Sequence, residues 1–309
     1  MKRNIYIPSY KSNEIHRNLI NKFADGLNKH NENIIYITAG HELSKQAIGL
    51  DDYILIDEWD HQYNQGTSTA RDILNSFIWR GGNIDNAIFA HHSYFWHGIT
   101  PEYEYCRLPF RSIFHSEAGY FKPISWSDKC DEIRSKVKIK DWRTHGNNIA
   151  VCLNNYSGWM NKGVCPYDWC YQVIDQCLKY YTDKTFYIID HPTRRTTLAD
   201  QKKNDMMSEL GKYGDKVVYG RNELGDYWAA IVYNSSVAIN FMINGIPTFV
   251  TNNDCFVYDW SAGLLSDVEN PKYFFDREEI IRKAFAHTHY RYEELSNGIF
   301  WNSVKERYK

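Results

Sequence analysis

The sequence predicts an α/β protein made of two doubly wound halves, and three observations predict it. Short β-branched runs alternate with stretches of helical period, first from Asn4 to His91 and again from Asn148 to Val250. A charged stretch between Trp126 and Asn147 separates the two series. Polar residues gather where the apolar runs end, at His91-His92, at Asp190-His191-Pro192 and at Asn234-Ser235-Ser236. Alternation of this kind implies parallel sheets with a ligand site at the strand tips. The 309 residues suffice for two domains of roughly 150 residues each.

In the first half, Asn4 to Ile7 reads as a short strand. Asn13 to Asn28 reads as an amphipathic helix with Ile15, Leu19, Ile20, Phe23 and Leu27 on its apolar face, and Asn33 to Thr38 as a strand ending near Gly40. Tyr53 to Ile56 is a further strand, Ala70 to Trp79 a helix stopped by Gly81-Gly82, and Asn86 to His91 a strand. Its tip carries His91, His92 and His97. Two adjacent histidines in a strand point to opposite faces and no carboxylate lies at ligand spacing, so they read as acceptor contacts or as a polar loop and not as metal ligands.

Arg111 to Phe114 reads as a short strand ending in His115-Ser116-Glu117-Ala118-Gly119-Tyr120. A carboxylate at a strand tip, followed by a glycine that lets a ligand approach the backbone, is suited to a general base; pairing of Glu117 with Lys122 or Arg111 is the structural alternative. The charged stretch after Trp126 reads as an inter-domain linker or a surface helix.

In the second half, Asn148 to Leu153 is a strand whose tip, Asn154 to Gly163, is a polar loop bearing Lys162, placed to close over a phosphate or an acceptor. Tyr167 to Tyr181 is a helix. Thr185 to Ile189 is a buried strand that Pro192 prevents from continuing, which leaves His191 at its open end. Arg194 adds positive charge nearby. Leu198 to Tyr213 is a helix and Lys216 to Tyr219 a strand. Beyond Val232-Tyr233-Asn234, the pair Ser235-Ser236 stands where a helix begins, with hydroxyls and backbone N–H groups facing a phosphate. That helix runs from Val237 to Asn244, ends at Gly245 and is followed by a strand from Ile246 to Val250. Asp276 to His287 and Tyr290 to Tyr308 read as helices.

His191-Pro192 and Ser235-Ser236 resemble the HP and SS motifs of bacterial sialyltransferases and of capsule-polysaccharide Kdo (3-deoxy-D-manno-oct-2-ulosonic acid) transferases, glycosyltransferases of the GT-B type. Gly245-Ile246-Pro247-Thr248-Phe249-Val250 is similar to the glycine-proline strand of their C-terminal domain, and Glu117-x-Gly119-Tyr120-x-Lys122-Pro123 to a Glu-x-Gly-Tyr-x-Arg-Pro segment of the Kdo transferases. The resemblance implies a GT-B-like fold, two Rossmann-like domains facing across a cleft: an acceptor-side domain over 1–145, a nucleotide-sugar-binding domain over 146–288, and a C-terminal helix over 289–309 that packs back on the first. It implies donor contacts from His191, Pro192, Arg194, Asn234, Ser235, Ser236 and Lys162, and acceptor contacts from His91, His92, His97 and Tyr120. His191 and Glu117 are the catalytic candidates. Relatives carry a second acid after the first, taken as the base; Ala118 stands there in this chain, so either Glu117 serves or another carboxylate does, Asp190 or Glu102 first.

The implied activity is inverting, metal-independent transfer of a sugar from a CMP- or UDP-linked donor, with no further cofactor, to a hydroxyl on a glycan. Two alternatives stay open: transfer to a hydroxymethylated base in DNA, as in phage glycosyltransferases, and non-catalytic binding of a nucleotide or glycan. A net charge of −2 announces no nucleic-acid partner. Seven scattered cysteines with no zinc spacing read as reduced thiols. No run approaches the roughly 18 apolar residues of a membrane span, and the expectation is a cytoplasmic protein. The 24 tyrosines and 10 tryptophans suit a stacking cleft and equally an ordinary core.

Overall fold

The computed structural model describes residues 3–9, 14–57, 69–92, 105–110, 128–154, 164–191, 197–221, 223–253, 255, 257–274, 276–280, 282 and 288–307. The chain forms two compact units. The first takes in Met1–Ile113, Glu117–Lys136 and Ile281–Lys309, and the second Val137–Ile280 with the three residues Phe114–Ser116.

Unit 1 carries strands β1 (Asn4–Pro8), β2 (Asn33–Ile37), β3 (Tyr53–Asp57), β4 (Ala87–His92) and β5 (Tyr105–Arg107), with helices α1 (Glu14–Lys29), α2 (Gly40–Leu43), α3 (Thr69–Trp79) and α4 (Asp128–Lys136). α1 forms because Leu19, Ile20, Phe23, Ala24 and Leu27 repeat at helical spacing, and all five are buried. β2, β1, β3 and β4 lie side by side and parallel. The sheet then departs from the all-parallel expectation. β5 pairs antiparallel with β4, and a strand from the far end of the chain, His289–Arg291, pairs antiparallel with β5. Pairing with β5 extends β4 to His92, so His91 and His92 lie within the ladder.

The charged stretch after Trp126 holds a helix at its start and then a segment that belongs to unit 2. α4 is a helix whose Cys130 and Ile133 are buried, and Val137, where unit 2 begins, is buried as well.

Unit 2 carries β6 (Asn148–Cys152), α5 (Pro166–Leu178), β7 (Thr185–Ile189), α6 (Thr197–Leu210), β8 (Val217–Tyr219), β9 (Tyr227–Val232), α7 (Val237–Ile243), β10 (Thr248–Val250) and the short turn α8 (Glu278–Ile280). Its strands run β10-β9-β6-β7-β8, every pair parallel. β6, β9 and β10 are buried on both faces and β7 on alternate residues, with Ile149, Val151, Phe186, Ile188, Ala229, Ile231 and Phe249 in one core with α5 and α6. Pro166 occupies the first turn of α5, where its missing N–H costs nothing. Pro247 likewise stands just outside β10 and contributes only its carbonyl, which accepts the Ala230 N–H at 2.9 Å. The strand is therefore shorter than the expected Ile246–Val250.

Gly245 ends α7 with φ of +77°, and a Cβ there would stand 1.8 Å from the Asp141 carbonyl oxygen. Lys140 and Arg143 donate backbone hydrogen bonds to the Ile243 and Gly245 carbonyls, at 2.9 and 2.7 Å. The segment entering unit 2 is thus bound to the turn that leaves α7.

The C-terminal stretch corrects the expected single helix. The strand β11 (His289–Arg291) comes first, then α9 (Tyr292–Ser296), a break at Gly298 with φ of +77°, and α10 (Ile299–Arg307). Phe300, Trp301 and Val304 are buried against unit 1, Phe300 against Phe23 and Tyr290, and Trp301 against Tyr53. Burying side chains of this size contributes about 1.5–3 kcal/mol each. α9 crosses α1 so closely that a Cβ on Gly26 would lie 2.0 Å from the Leu295 carbonyl oxygen. The expected helix over Asp276–His287 is described only in its first turn, α8; most of the rest lies outside the described residues.

Candidate functional site

In unit 2, chain order reverses around β6. β7 and β8 follow on one side of it and β9 and β10 on the other. Where consecutive strands leave a common neighbour in opposite directions, their following loops splay apart, and in open α/β sheets the crevice left at the carboxyl ends receives ligands. Here that point lies between the ends of β6 and β9.

The residue after Leu153 at the β6 end is Asn154, and the residue two past β9 is Asn234. Both are buried, and the Asn154 side-chain amide donates to the Asn234 Oδ1. This bond ties the two diverging loops together at their root. Ser235 and Ser236 follow, half-buried. The structure separates their roles: Ser236 already has helical φ and ψ and makes no side-chain cap bond, whereas the Ser235 Oγ lies 3.4 Å from the Val237 N–H and its carbonyl accepts the Ala238 N–H at 3.1 Å. Ser235 is therefore the capping residue and Ser236 the first residue of the turn. With Ser235 turned to its own backbone, the Ser236 hydroxyl is the one without a cap bond.

On the other side of β6, the β6–β7 ladder runs one bond past the strands, from the Leu153 N–H to the Ile189 carbonyl at 2.9 Å. Asp190 and His191 come next. One Asp190 oxygen accepts the backbone N–H of His191 at 2.8 Å and shapes the turn. The half-buried imidazole of His191 is held down at about 4, by burial first and by the positive charge of Arg221 second. Near neutral pH it is an uncharged ring that offers one N–H donor and one acceptor.

His191 thus stands past the end of β7, and Asn234, Ser235 and Ser236 past the end of β9, on the two strands that flank β6 in one sheet. Pro192, Arg194 and Lys162 lie outside the described residues, as do Glu117, Tyr120, His97 and the reserve carboxylate Glu102. For His91 and His92 the backbone alone is described, paired across the ladder with Arg107 and Cys106. Ser261, near the β10 end, accepts the Val250 N–H at 2.9 Å and so serves the fold.

Two residues of the tip were not singled out from sequence. Asn154 carries a signal that position alone supplies: it is the first residue after the first strand of a doubly wound unit, where the crevice opens. Arg221 follows Gly220 at the end of β8, a charged residue at a tip adjoining that of His191.

Among the described residues no group of three or more His, Cys, Asp or Glu side chains is arranged to hold a metal ion. All seven cysteines are free thiols. Burial raises Cys152, Cys177 and Cys255 to about 12, so these remain protonated and unreactive. No helix among the described residues is long and apolar enough to cross a membrane.

No protein-family model matches the chain, and no curated protein does. Solved structures do. The β-Kdo 2,7 transferase of Thermosulfurimonas dismutans KpsC is similar at a TM-score of 0.52 and 10% identity, over 97% of this chain and 100% of that one. The β-Kdo 2,4 transferase of the same protein is similar at 0.50 and 10% identity, over 95% and 97%. The chain has a GT-B-like α/β fold.

Proposed function

We propose that this chain is an inverting, metal-independent glycosyltransferase that moves a sugar from a CMP- or UDP-linked donor to a hydroxyl of a glycan. The observation that carries the reading is the placement of Asn234, Ser235 and Ser236 past the end of β9 and of His191 past the end of β7, the two strands that flank β6 where strand order reverses in unit 2. The similarity of nearly the whole chain to two Kdo transferases supports it at the level of fold.

In this reading unit 2 holds the nucleotide and unit 1 presents the acceptor through His91, His92, His97 and Tyr120. The neutral His191 ring donates to a phosphate oxygen, joined by the Ser236 hydroxyl and the first N–H groups of the α7 turn. Pro192, Arg194 and Lys162 complete the donor side. Donors fixed before the reaction stabilise charge as it grows on the departing phosphate without waiting for solvent to reorient. Glu117 takes the proton of the attacking hydroxyl, because a free alcohol is a weak nucleophile near neutral pH. One base and one direct displacement give inversion.

The test is a thermal-shift panel of nucleoside mono- and diphosphates, since a ligand that binds only the folded state raises stability by RT ln(1 + [L]/Kd). CMP or UDP is expected to raise the melting temperature while free sugars leave it unchanged. Equal shifts from every nucleotide, or none from any, would overturn the donor site.

A further inference from the structure

We propose that Arg221 supplies permanent positive charge to the phosphate of the bound nucleotide, standing beside His191 at the end of the adjoining strand. The proposal rests on the reading of unit 2 as the nucleotide site. His191 is uncharged near neutral pH, and asparagine and serine carry no charge, so the described residues assigned to the donor so far hold a dianionic phosphate with dipoles alone.

The placement of Arg221 follows from register. β7 and β8 are parallel with Phe186, Tyr187 and Ile188 opposite Val217, Val218 and Tyr219. The Gly220 N–H continues the ladder to the Ile188 carbonyl at 3.1 Å. Continued at the same register, Gly220 comes level with Ile189 and Arg221 with Asp190, one residue before His191. Gly220 has φ of +152°, a conformation that side chains disfavour, and nothing lies within 4 Å of where its Cβ would be. The chain therefore leaves β8 over open space.

The Arg221 side chain is exposed, and among the described residues it makes no ion pair. Its charge adds to burial in holding the His191 imidazole down. By register Arg221 stands at the tip of the strand next to β7, beside the turn that carries Asp190 and His191. Its planar fork of donors matches two oxygens of one phosphate, which a lysine ammonium does not. Neighbouring positive charge also keeps His191 neutral, so the ring presents a lone donor while the permanent charge comes from the arginine.

The experiment is calorimetric titration of the full chain and of three variants, R221Q, R221K and K216Q, with CMP and UDP. Lys216 is an exposed cation just before the opposite end of β8, so K216Q removes the same net charge away from the crevice. R221Q is expected to weaken whichever nucleotide the wild type binds by roughly 10- to 100-fold, the scale of a hydrogen bond to a charged group. R221K should recover part of that loss and K216Q should bind as the wild type does, with melting temperatures unchanged throughout. Wild-type affinity in R221Q, or equal losses in R221Q and K216Q, would overturn the role of Arg221 and leave the nucleotide site standing. Failure of the wild type to bind either nucleotide would overturn both.

Discussion

The two units solve the same architectural problem with different reach along the chain. Unit 2 is assembled from one continuous series of strand and helix, its five strands all parallel, in the order 3-2-1-4-5 counted within the unit. Unit 1 begins the same way, as 2-1-3-4, but finishes its sheet with β5 and with β11, which comes from the other end of the sequence. The reversal in unit 2 falls beside its first strand, between β6 and β9, and the loops there carry the asparagines Asn154 and Asn234, bonded to each other, and the serine pair, with His191 across β6. In unit 1 the last tenth of the chain, Ile281–Lys309, supplies an edge strand and two packing helices. Unit 2 therefore depends on local order, and unit 1 on long-range closure.

The largest effect expected from this contrast is at Trp301. Its ring is 1% exposed and packs edge-on against Tyr53 at 5.1 Å, and its Nε1 donates to Glu32 at 2.8 Å. Trp301→Ala removes an anchor of the closing segment and leaves a large cavity, at a cost of about 3–5 kcal/mol. Denaturant unfolding should show this loss, while nucleotide binding under native conditions, a property of unit 2, should persist. Equal loss of both would erase the distinction between the units.

Next in size is Glu117→Gln. The amide keeps the shape of the carboxylate but cannot take a proton, so turnover should fall by roughly 10²-fold or more with nucleotide affinity unchanged. Steady-state kinetics with donor and acceptor decide it. Near-normal turnover would move the base to Asp190 or Glu102. Ala118→Asp in the Gln background asks whether a second acid, as in the motif that the Glu117 segment resembles, restores activity.

Much of the fold was legible in the sequence, and the exceptions share a cause. β1, β2, β3, β6 and β7 and the helices α1, α3 and α5 announce themselves because their apolar residues repeat at the period of the element that buries them. β5 and β11 are three residues each, Tyr-Cys-Arg and His-Tyr-Arg, with no run of apolar residues. They are strands only because each finds the other across the fold, and nothing local encodes that pairing. The periodicity after Tyr290 does suggest helix, yet it cannot show that pairing with β5 claims the first residues and that Gly298 breaks the rest in two. β9 is buried along its whole length, so it lacks the alternation that would delimit it, and from sequence only its far end at Val232 was marked. At the site, His191 and the serines were legible as residues at the ends of elements. Asn154 and Arg221 were not, because their relevance lies in which strands are neighbours.

Burial of His191 also predicts a pH dependence. Its folded-state value of about 4 lies below the 6.5 or so of an unfolded histidine. Between those values the unfolded chain binds more protons than the folded one, so stability from this site is fully present above about pH 6.5 and is lost as pH falls toward 4. Half-exposure tempers the size, and an effect on the order of 2 kcal/mol is expected across that window. His191→Gln should flatten this part of the curve in denaturant titrations between pH 4 and 7. The same variant should weaken nucleotide binding by about 1–3 kcal/mol. An unchanged slope would mean that the imidazole is solvated and not held at the root of the turn.

The smallest predicted effect tests the join between β6 and β9 directly. The Asn154 amide donates to Asn234 Oδ1 with both side chains buried, so each truncation alone takes a bond from a polar group whose desolvation has already been incurred. Asn154→Ala should therefore cost about 1–3 kcal/mol of stability, and Asn234→Ala a similar amount. Removing both leaves neither atom without its counterpart across the crevice. If the bond is what holds the two loops together, the double variant should cost less than the sum of the singles, with a coupling of roughly 0.5–1.5 kcal/mol. Nucleotide affinity should follow the same cycle, because Ser235 and Ser236 are carried on the loop that Asn234 begins. Additive losses in stability would show that the two asparagines act separately. Coupling in stability without coupling in affinity would make the bond part of the fold of unit 2 and place the phosphate contacts farther along, on Ser236, His191 and Arg221.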